Sequence, residues 1–161
     1  MILPSHLTEQ GFELADVNGA DLEDYLAVKR VCYEKYVEEY YGGGWNVEIN
    51  KRDFASSFEV TCFKKILMNG KTVGFFAFDE RHDEIGHISI QMLDEARNMG
   101  IGSFYLSFVT ELSEKSGKPA ILKVFKSNPA RELYKRFGFK VCCEDKTHYY
   151  MSYYSEGGIS L

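Results

Sequence analysis

Proline is scarce in this chain, three in 161 residues, and no stretch is low in complexity. A long disordered segment is therefore not expected. Long apolar runs are missing too. None approaches the roughly 18 residues that would span a bilayer. Residues Met1 to His6 lack the basic start and apolar run of a secretory signal. The expectation is a cytoplasmic protein with no membrane role. Cysteine is sparse: Cys32, Cys62, Cys142 and Cys143, with no CxxC spacing, which argues against a metal site. On a regular strand Cys142 and Cys143 would point to opposite faces. All four read as small buried or half-buried thiols in a reducing compartment. No repeat recurs at a period of 20–50 residues. Basic side chains are outnumbered, 19 against 24, for a net charge of −5. With a pI near 5.4, a dedicated nucleic-acid binder is excluded.

What is present suits one domain over residues 1–161 with a single core. The charge is uneven. Residues 1–96 carry 18 acidic and 9 basic side chains, and residues 97–146 carry 5 and 10. An acidic half beside a basic half suggests two ligands of opposite sign.

The hydropathy pattern sets an order of elements. Gly11 to Val17 alternates as a first strand, and Asn18-Gly19 turns. Asp21 can cap a helix whose stripe is Leu22, Tyr25, Val28, Cys32, Tyr36 and Tyr40, ending at Gly42-Gly43-Gly44. Asn50 can cap a short second helix through Ser57. Phe58 to Met68 and Lys71 to Phe78 read as strands joined by Asn69-Gly70, a strong hairpin signal. Asp79 to Glu84 reads as a charged turn. Ile85 to Leu93 is a further strand, with Ile88, Ile90 and Met92 facing one way and His87, Ser89 and Gln91 the other. Phe104, Tyr105, Phe108, Val109 and Leu112 form a helical stripe closed by Gly117. Pro119 to Phe125 is an apolar strand parallel to the one before that helix. A helix from Pro129 to Phe137, then strands Phe139–Cys143 and Thr147–Tyr154, close the chain. The expected fold is α/β in the broad sense (α+β): a mixed, mostly antiparallel sheet with a central parallel pair and helices on both faces.

The stretch Arg97-Asn98-Met99-Gly100-Ile101-Gly102-Ser103 lies between a strand and a helix. Its glycines permit a tight turn, and the helix start carries roughly half a positive charge. Together these can hold a pyrophosphate; a plain tight turn is the alternative. A GxGxxG loop lacks its third glycine here, and a Walker loop lacks its Gly-Lys-Ser/Thr. About thirty residues on, Leu133 and Phe137 stand at i and i+4. Tyr134, about 100° round from Leu133, faces either a cleft edge, as an acid, or solvent, as a packing residue.

These two stretches, in this order, resemble the GNAT superfamily of acyl-CoA-dependent N-acyltransferases. Its phosphate loop reads Gln/Arg-x-x-Gly-x-Gly/Ala, which Arg97 to Gly102 fits. Its later helix reads Asn-x-x-Ala-x-x-Leu-Tyr-x-x-x-Gly-Phe, matched by Asn128, Leu133, Tyr134, Gly138 and Phe139, with alanine at 130 rather than 131. The element order is similar over nearly the whole chain. Asp94 stands where a proline is common and Asn98 where a glycine is common. A carboxylate at 94 is unfavourable near phosphates unless it points away.

The resemblance implies direct acetyl transfer from acetyl-CoA to an amine in a ternary complex, with no metal. It implies that residues Arg97, Asn98, Met99, Gly100, Ile101, Gly102 and Ser103 hold the pyrophosphate. Gln91, Met92 and Leu93 would offer a strand edge to pantetheine, Asn128 would hold its arm, and Arg131 would contact the cofactor. Tyr134 would contact the cofactor and protonate the departing thiolate. An alkylammonium is only about 0.1% neutral at pH 7, so a base must help. His87 is the candidate, with Glu84 nearby and His148 a weaker one. The acceptor is a small amine or a peptide N-terminus, and acidic Glu34, Glu38 and Glu39 can attract it. Two rivals stand beside this reading: a non-catalytic acyl-CoA-binding module of the same fold, and an unrelated phosphate-ligand protein. Monomer and homodimer both stay open.

Overall fold

A computed structural model describes residues 1–154. Seven strands form one sheet in the order β1-β2-β3-β4-β5-β7-β6. They are β1 (Phe12–Asp16), β2 (Cys62–Met68), β3 (Lys71–Glu80), β4 (Ile85–Met92), β5 (Ala120–Phe125), β6 (Lys140–Glu144) and β7 (His148–Tyr153). The α-helices are α1 (Ser5–Thr8), α2 (Leu22–Tyr41), α3 (Val47–Ser56), α4 (Ile101–Ser116) and α5 (Ala130–Arg136). The sheet is mostly antiparallel, and β4 and β5 are its parallel pair, in register at Ile85↔Ala120. A parallel pair needs a long crossover, and α4 supplies it.

By internal contacts the chain divides into two compact units. One comprises Met1–Ala77 and Ile90–Gly102; the other comprises Phe78–Ser89 and the chain from Ser103 onward.

In the first unit, α2 buries Tyr25, Val28, Cys32 and Tyr36, the stripe expected from spacing. Tyr25, Val28 and Cys32 form one core cluster with Val17, Phe54 and Phe75. Tyr25 is its hub, with ring centroids 5.1 Å from Phe54 and 5.3 Å from Phe75. Each such aromatic contributes roughly 1.5–3 kcal/mol through burial. Asn69 and Gly70 both take positive φ, 51° and 83°, as the tight hairpin between β2 and β3 demands.

Several local expectations change. Asp21 does not cap α2. Asn18 caps a 3-10 turn over Gly19–Asp21 instead, accepting from Ala20 N–H, while the Asp21 carboxylate accepts from Asn18 N–H. Asp21 is buried and paired with Lys65 at 2.9 Å. Burial works to raise its pKa, but the Asn18 N–H and Lys65 outweigh burial and hold it low. The second helix begins earlier, because Asn46 accepts from Ile49 N–H and caps it. Asn50 lies inside that helix and donates to the Asn46 carbonyl at 2.8 Å. The strand expected from Phe58 starts at Cys62, after a 3-10 turn at Ser57–Glu59. The strand expected to end at Phe78 runs on to Glu80.

In the second unit, the most buried line of α4 includes Tyr105, Val109 and Ser113, with Leu106 beside it. Phe104, Phe108 and Leu112 flank that line and are only partly buried. The Tyr105 hydroxyl is not wasted, since it accepts from Ser89 N–H at 3.2 Å. Phe139 and Met151 complete this core. Cys142 and Cys143, expected to be at least half-buried, are exposed, because all five residues of β6 face solvent.

Candidate functional site

The connection from β4 to α4 runs through a 3-10 turn at Asp94–Ala96. Ala96 is fully buried and anchors the turn. Arg97 follows, and its guanidinium turns back on the strand it has just left. Its Nε donates to the Met92 carbonyl at 3.0 Å. Its Nη2 reaches the Cys32 sulfur at 3.6 Å, and its Nη1 pairs with Asp94 at 3.1 Å. Asp94 is 88% exposed at its side chain. The carboxylate that departs from the family pattern is thus neutralised by the first residue of the loop.

Asn98 (φ 61°) and Gly100 (φ 106°) then carry the backbone through the left-handed half of φ/ψ space. Asparagine tolerates this better than most residues, and glycine does so freely. Gly100 also packs against α1, where an added Cβ would lie 3.3 Å from a Leu7 methyl. Gln10 steadies the same loop by donating to the Met99 carbonyl at 3.3 Å. The result is a helix start with empty donors. Gly100, Ile101, Gly102 and Ser103 are its first four N–H groups, which have no partner inside a helix. Among the described residues no loop carbonyl or side chain accepts from them. Such a row of N–H groups at a helix start binds anions.

The end of β4 is already partly engaged. The Met92 carbonyl takes the Arg97 guanidinium and the Cys32 thiol, the latter at 3.4 Å. Leu93 N–H donates to Val73 across the sheet at 2.8 Å. Gln91 is buried, and its Nε2 donates to the Tyr33 hydroxyl at 3.4 Å. Burial pushes the Tyr33 phenol up to about 12, against the Gln91 hydrogen bond. Burial likewise pushes the Cys32 thiol up, with Arg97 opposing it. Both are therefore neutral at pH 7. In the sequence Cys32 reads only as part of a helix stripe and Tyr33 carries no signal; what singles them out is the end of β4, brought to them by folding.

His87 sits near the other end of β4. It is exposed, and its φ of 51° is foreign to a strand. A non-glycine residue held there is strained, and such strain clusters at functional positions. It also breaks the expected alternation. Beyond His87, residues 88–90 are all half-buried, so no two-faced pattern survives. Glu84, the neighbouring carboxylate, pairs with Arg81 at 3.3 Å.

Asn128 follows β5. Its side-chain oxygen accepts from Ala130 N–H at 2.9 Å and starts α5. Arg131 lies over the Tyr149 ring, 5.0 Å from its centroid. Tyr134 is half-buried with its ring 6.2 Å from Phe139, edge to face. Phe139 N–H returns to the Tyr134 carbonyl at 3.1 Å and Gly138 N–H to Lys135 at 3.0 Å, closing α5 in a Schellman motif. His148 stacks on Phe125 at 4.1 Å, and burial and Lys123 hold its pKa low against Asp145. The expected site residues thus fall into two sets. Gln91 to Gly102 belong to the first unit. His87, Ser103, Asn128, Arg131 and Tyr134 belong to the second.

Among the described residues, no helix is long and apolar enough to cross a membrane. No group of three His, Cys, Asp or Glu is placed to hold a metal.

A family model described as "Acetyltransferase (GNAT) family" matches residues 30–139. A search of curated proteins finds no match. Solved structures share the fold. The PaiA N-acetyltransferase of Thermoplasma acidophilum, in complex with coenzyme A, aligns with a TM-score of 0.68 at 17% identity, over 89% of this chain and 98% of its own. The ribosomal-protein-S18-alanine N-acetyltransferase of Escherichia coli aligns at 0.67 and 19% identity, over 93% and 98%. Arabidopsis thaliana Naa50, bound to the bisubstrate analogue CoA-Ac-MVNAL, aligns at 0.61 and 21% identity, over 89% and 98%.

Proposed function

The chain belongs to the GNAT acetyltransferase family, and from that premise we propose that it moves an acetyl group from acetyl-CoA to a primary amine by direct attack in a ternary complex. One observation carries the cofactor half of this reading. Among the described residues the four N–H groups of Gly100 to Ser103 have no acceptor, while the one arginine of the loop is turned away on Met92 and Asp94. The loop therefore offers backbone, rather than a side-chain cation, to a pyrophosphate.

The remaining roles rest on the motif. Gln91, Met92 and Leu93 form the strand end that receives pantetheine, with the Met92 carbonyl and the Leu93 N–H already engaged within the protein. Asn128, whose oxygen is spent on Ala130, offers its amide N–H₂ to the pantetheine arm. Arg131 contacts the cofactor. In the chemical step the neutral amine attacks the thioester carbonyl and the C–S bond breaks. The CoA thiolate then takes a proton from Tyr134. His87, exposed on a strained backbone, is the group that accepts the proton of the amine. Residues 1–161 act as one acetyltransferase domain, of which residues 155–161 lie outside the described part. The cytoplasmic location expected from the sequence is retained. The acceptor is a small amine or a peptide N-terminus. The two neighbours whose names specify a protein alanine and a CoA–peptide conjugate give the peptide class weight.

The test is thiol release from acetyl-CoA across a panel of amines and N-terminal peptides, beside thermal shift with CoA. Ligand at 100 times its Kd raises stability by about 2.7 kcal/mol. Acetate and adenine leave the melting temperature unchanged. No shift at millimolar CoA removes the proposal. A shift without turnover on any acceptor leaves the acyl-CoA-binding module in its place.

A further inference from the structure

Cys142 and Cys143 are neighbours on β6, the last strand of the sheet order. In a regular strand adjacent side chains point to opposite faces, and two such thiols cannot meet. This strand is not regular. Its register with β7 passes from Val141↔Met151 directly to Cys143↔Tyr150. Cys142 is the extra residue of a β-bulge, opposite no partner of its own. The bulge re-aims its side chain. The Cys142 thiol donates to the Tyr150 carbonyl at 3.3 Å, and Tyr150 is also the residue that Cys143 faces across the ladder. Both residues are exposed and neither is in a disulfide.

We infer that Cys142 and Cys143 form a solvent-facing dithiol that captures one thiophilic centre through both sulfurs, of the class of monosubstituted trivalent arsenicals. A tetrahedral ion such as zinc seeks four protein or solvent ligands. Among the described residues no third Cys, His or carboxylate completes a metal-binding group here. A two-thiol site therefore suits a centre that two sulfurs satisfy. Local desolvation, the adjacent Cys142 sulfur and Asp145 push the Cys143 thiol up. A second thiolate is thus disfavoured beside the first, until an electrophilic centre on one sulfur withdraws that charge. The exchange balances without oxidant or reductant. Two As–S bonds form, two As–O bonds break, and each hydroxide leaves as water with one thiol proton. The second bond is made intramolecularly, which typically multiplies affinity by about 10²–10⁴. The other two cysteines do not compete, since Cys32 is buried and Cys62 half-buried, with burial pushing both thiols up.

Phenylarsine oxide is the probe. Native mass spectrometry of the whole chain, with a count of free thiols, should show one phenylarsenic group bound and two thiols lost. That adduct should survive excess monothiol and yield to 1,2-ethanedithiol. Cys142→Ser and Cys143→Ser should each weaken binding about 10²–10⁴-fold, with circular dichroism confirming the fold. Cys32→Ser and Cys62→Ser should bind as the wild type does. The inference is overturned if either Cys142→Ser or Cys143→Ser binds with wild-type affinity. It is equally overturned if monothiol strips the arsenical from the wild type as readily as from those variants.

Discussion

Two strand-to-helix connections in this chain solve the same local problem in opposite ways. The first leads from β4 to α4 through residues 93–100, the second from β5 to α5 through residues 126–129. Every helix start leaves backbone donors without partners. The second connection consumes its own: the Asn128 oxygen takes Ala130 N–H, and Pro129 has no N–H to offer. Among the described residues the first leaves the N–H groups of Gly100 to Ser103 without an acceptor; its Arg97 is turned onto Met92 and Asp94, and Gln10 from outside the connection holds Met99. A self-satisfied start stabilises a short helix. An unsatisfied one, held open by outside contacts, is arranged for an anion.

The sharpest way to break this contrast is Gly102→Asp. A carboxylate and a Cβ would stand where a pyrophosphate meets backbone. Each hydrogen bond to a charged group contributes roughly 1.5–3 kcal/mol, and charge repulsion adds to the loss. CoA affinity by calorimetry should fall at least about 10²-fold. Asn128→Ala should cost α5 its cap, about 1 kcal/mol of stability, and far less affinity. Equal losses of affinity in the two variants would erase the distinction.

Tyr134→Phe comes next. The ring can still pack on Phe139, so folding and CoA affinity should persist. Positioned acid catalysis is worth about 10²–10⁴-fold, and thiolates leave well, so kcat should fall by about 10² or less. An unchanged kcat with the best acceptor would return Tyr134 to a packing role.

Arg97→Ala tests what holds the first connection open. It removes the hydrogen bond to Met92, the contact with Cys32 and the pair with Asp94. The pair is largely exposed and worth little, so the carbonyl contact decides the cost, about 1–2 kcal/mol. That corresponds to roughly 2–8 °C in Tm for a chain of this size. The salt dependence of CoA binding should stay as in the wild type, since the guanidinium faces Met92 and not the ligand. A much flatter salt dependence in the variant would show that Arg97 contacts phosphate after all.

The smallest effect belongs to Asp145, in a self-satisfied turn between β6 and β7. Hydrogen bonds from His148 and Thr147 N–H hold its carboxyl down at about 2. The folded value lies below the unfolded one of 3.8, so its stabilisation is fully present above that value. It is lost as pH falls through about 2. Asp145→Asn should lower Tm slightly at pH 5 to 7, and the gap to wild type should close between pH 4 and 2. A gap constant across that range would mean that the turn does not depend on the charge.

Much of this was legible in the order of residues. The α2 stripe, the Asn69-Gly70 hairpin, the parallel β4–α4–β5 crossover and the Gly-x-Gly loop follow from periodicity and from backbone limits that act within a few residues. Hydrophobic spacing and glycine placement are local, so they survive reading without a fold. Choices among equivalent local options were not legible. Asn46 and Asn50 are both fit to cap a helix, and Asn18 and Asp21 both fit to cap a turn. Burial beside Lys65 settled the use of Asp21, and Asn50 was taken into the helix interior. The left-handed turn at His87, the bulge at Cys142 that sets Cys143 opposite Tyr150, and the fold-back of Arg97 onto Met92 depend on strands pairing over long stretches of chain. Nothing near those residues in sequence specifies them. Only the tertiary structure, by deciding which carbonyls and which registers lie within reach, could set them.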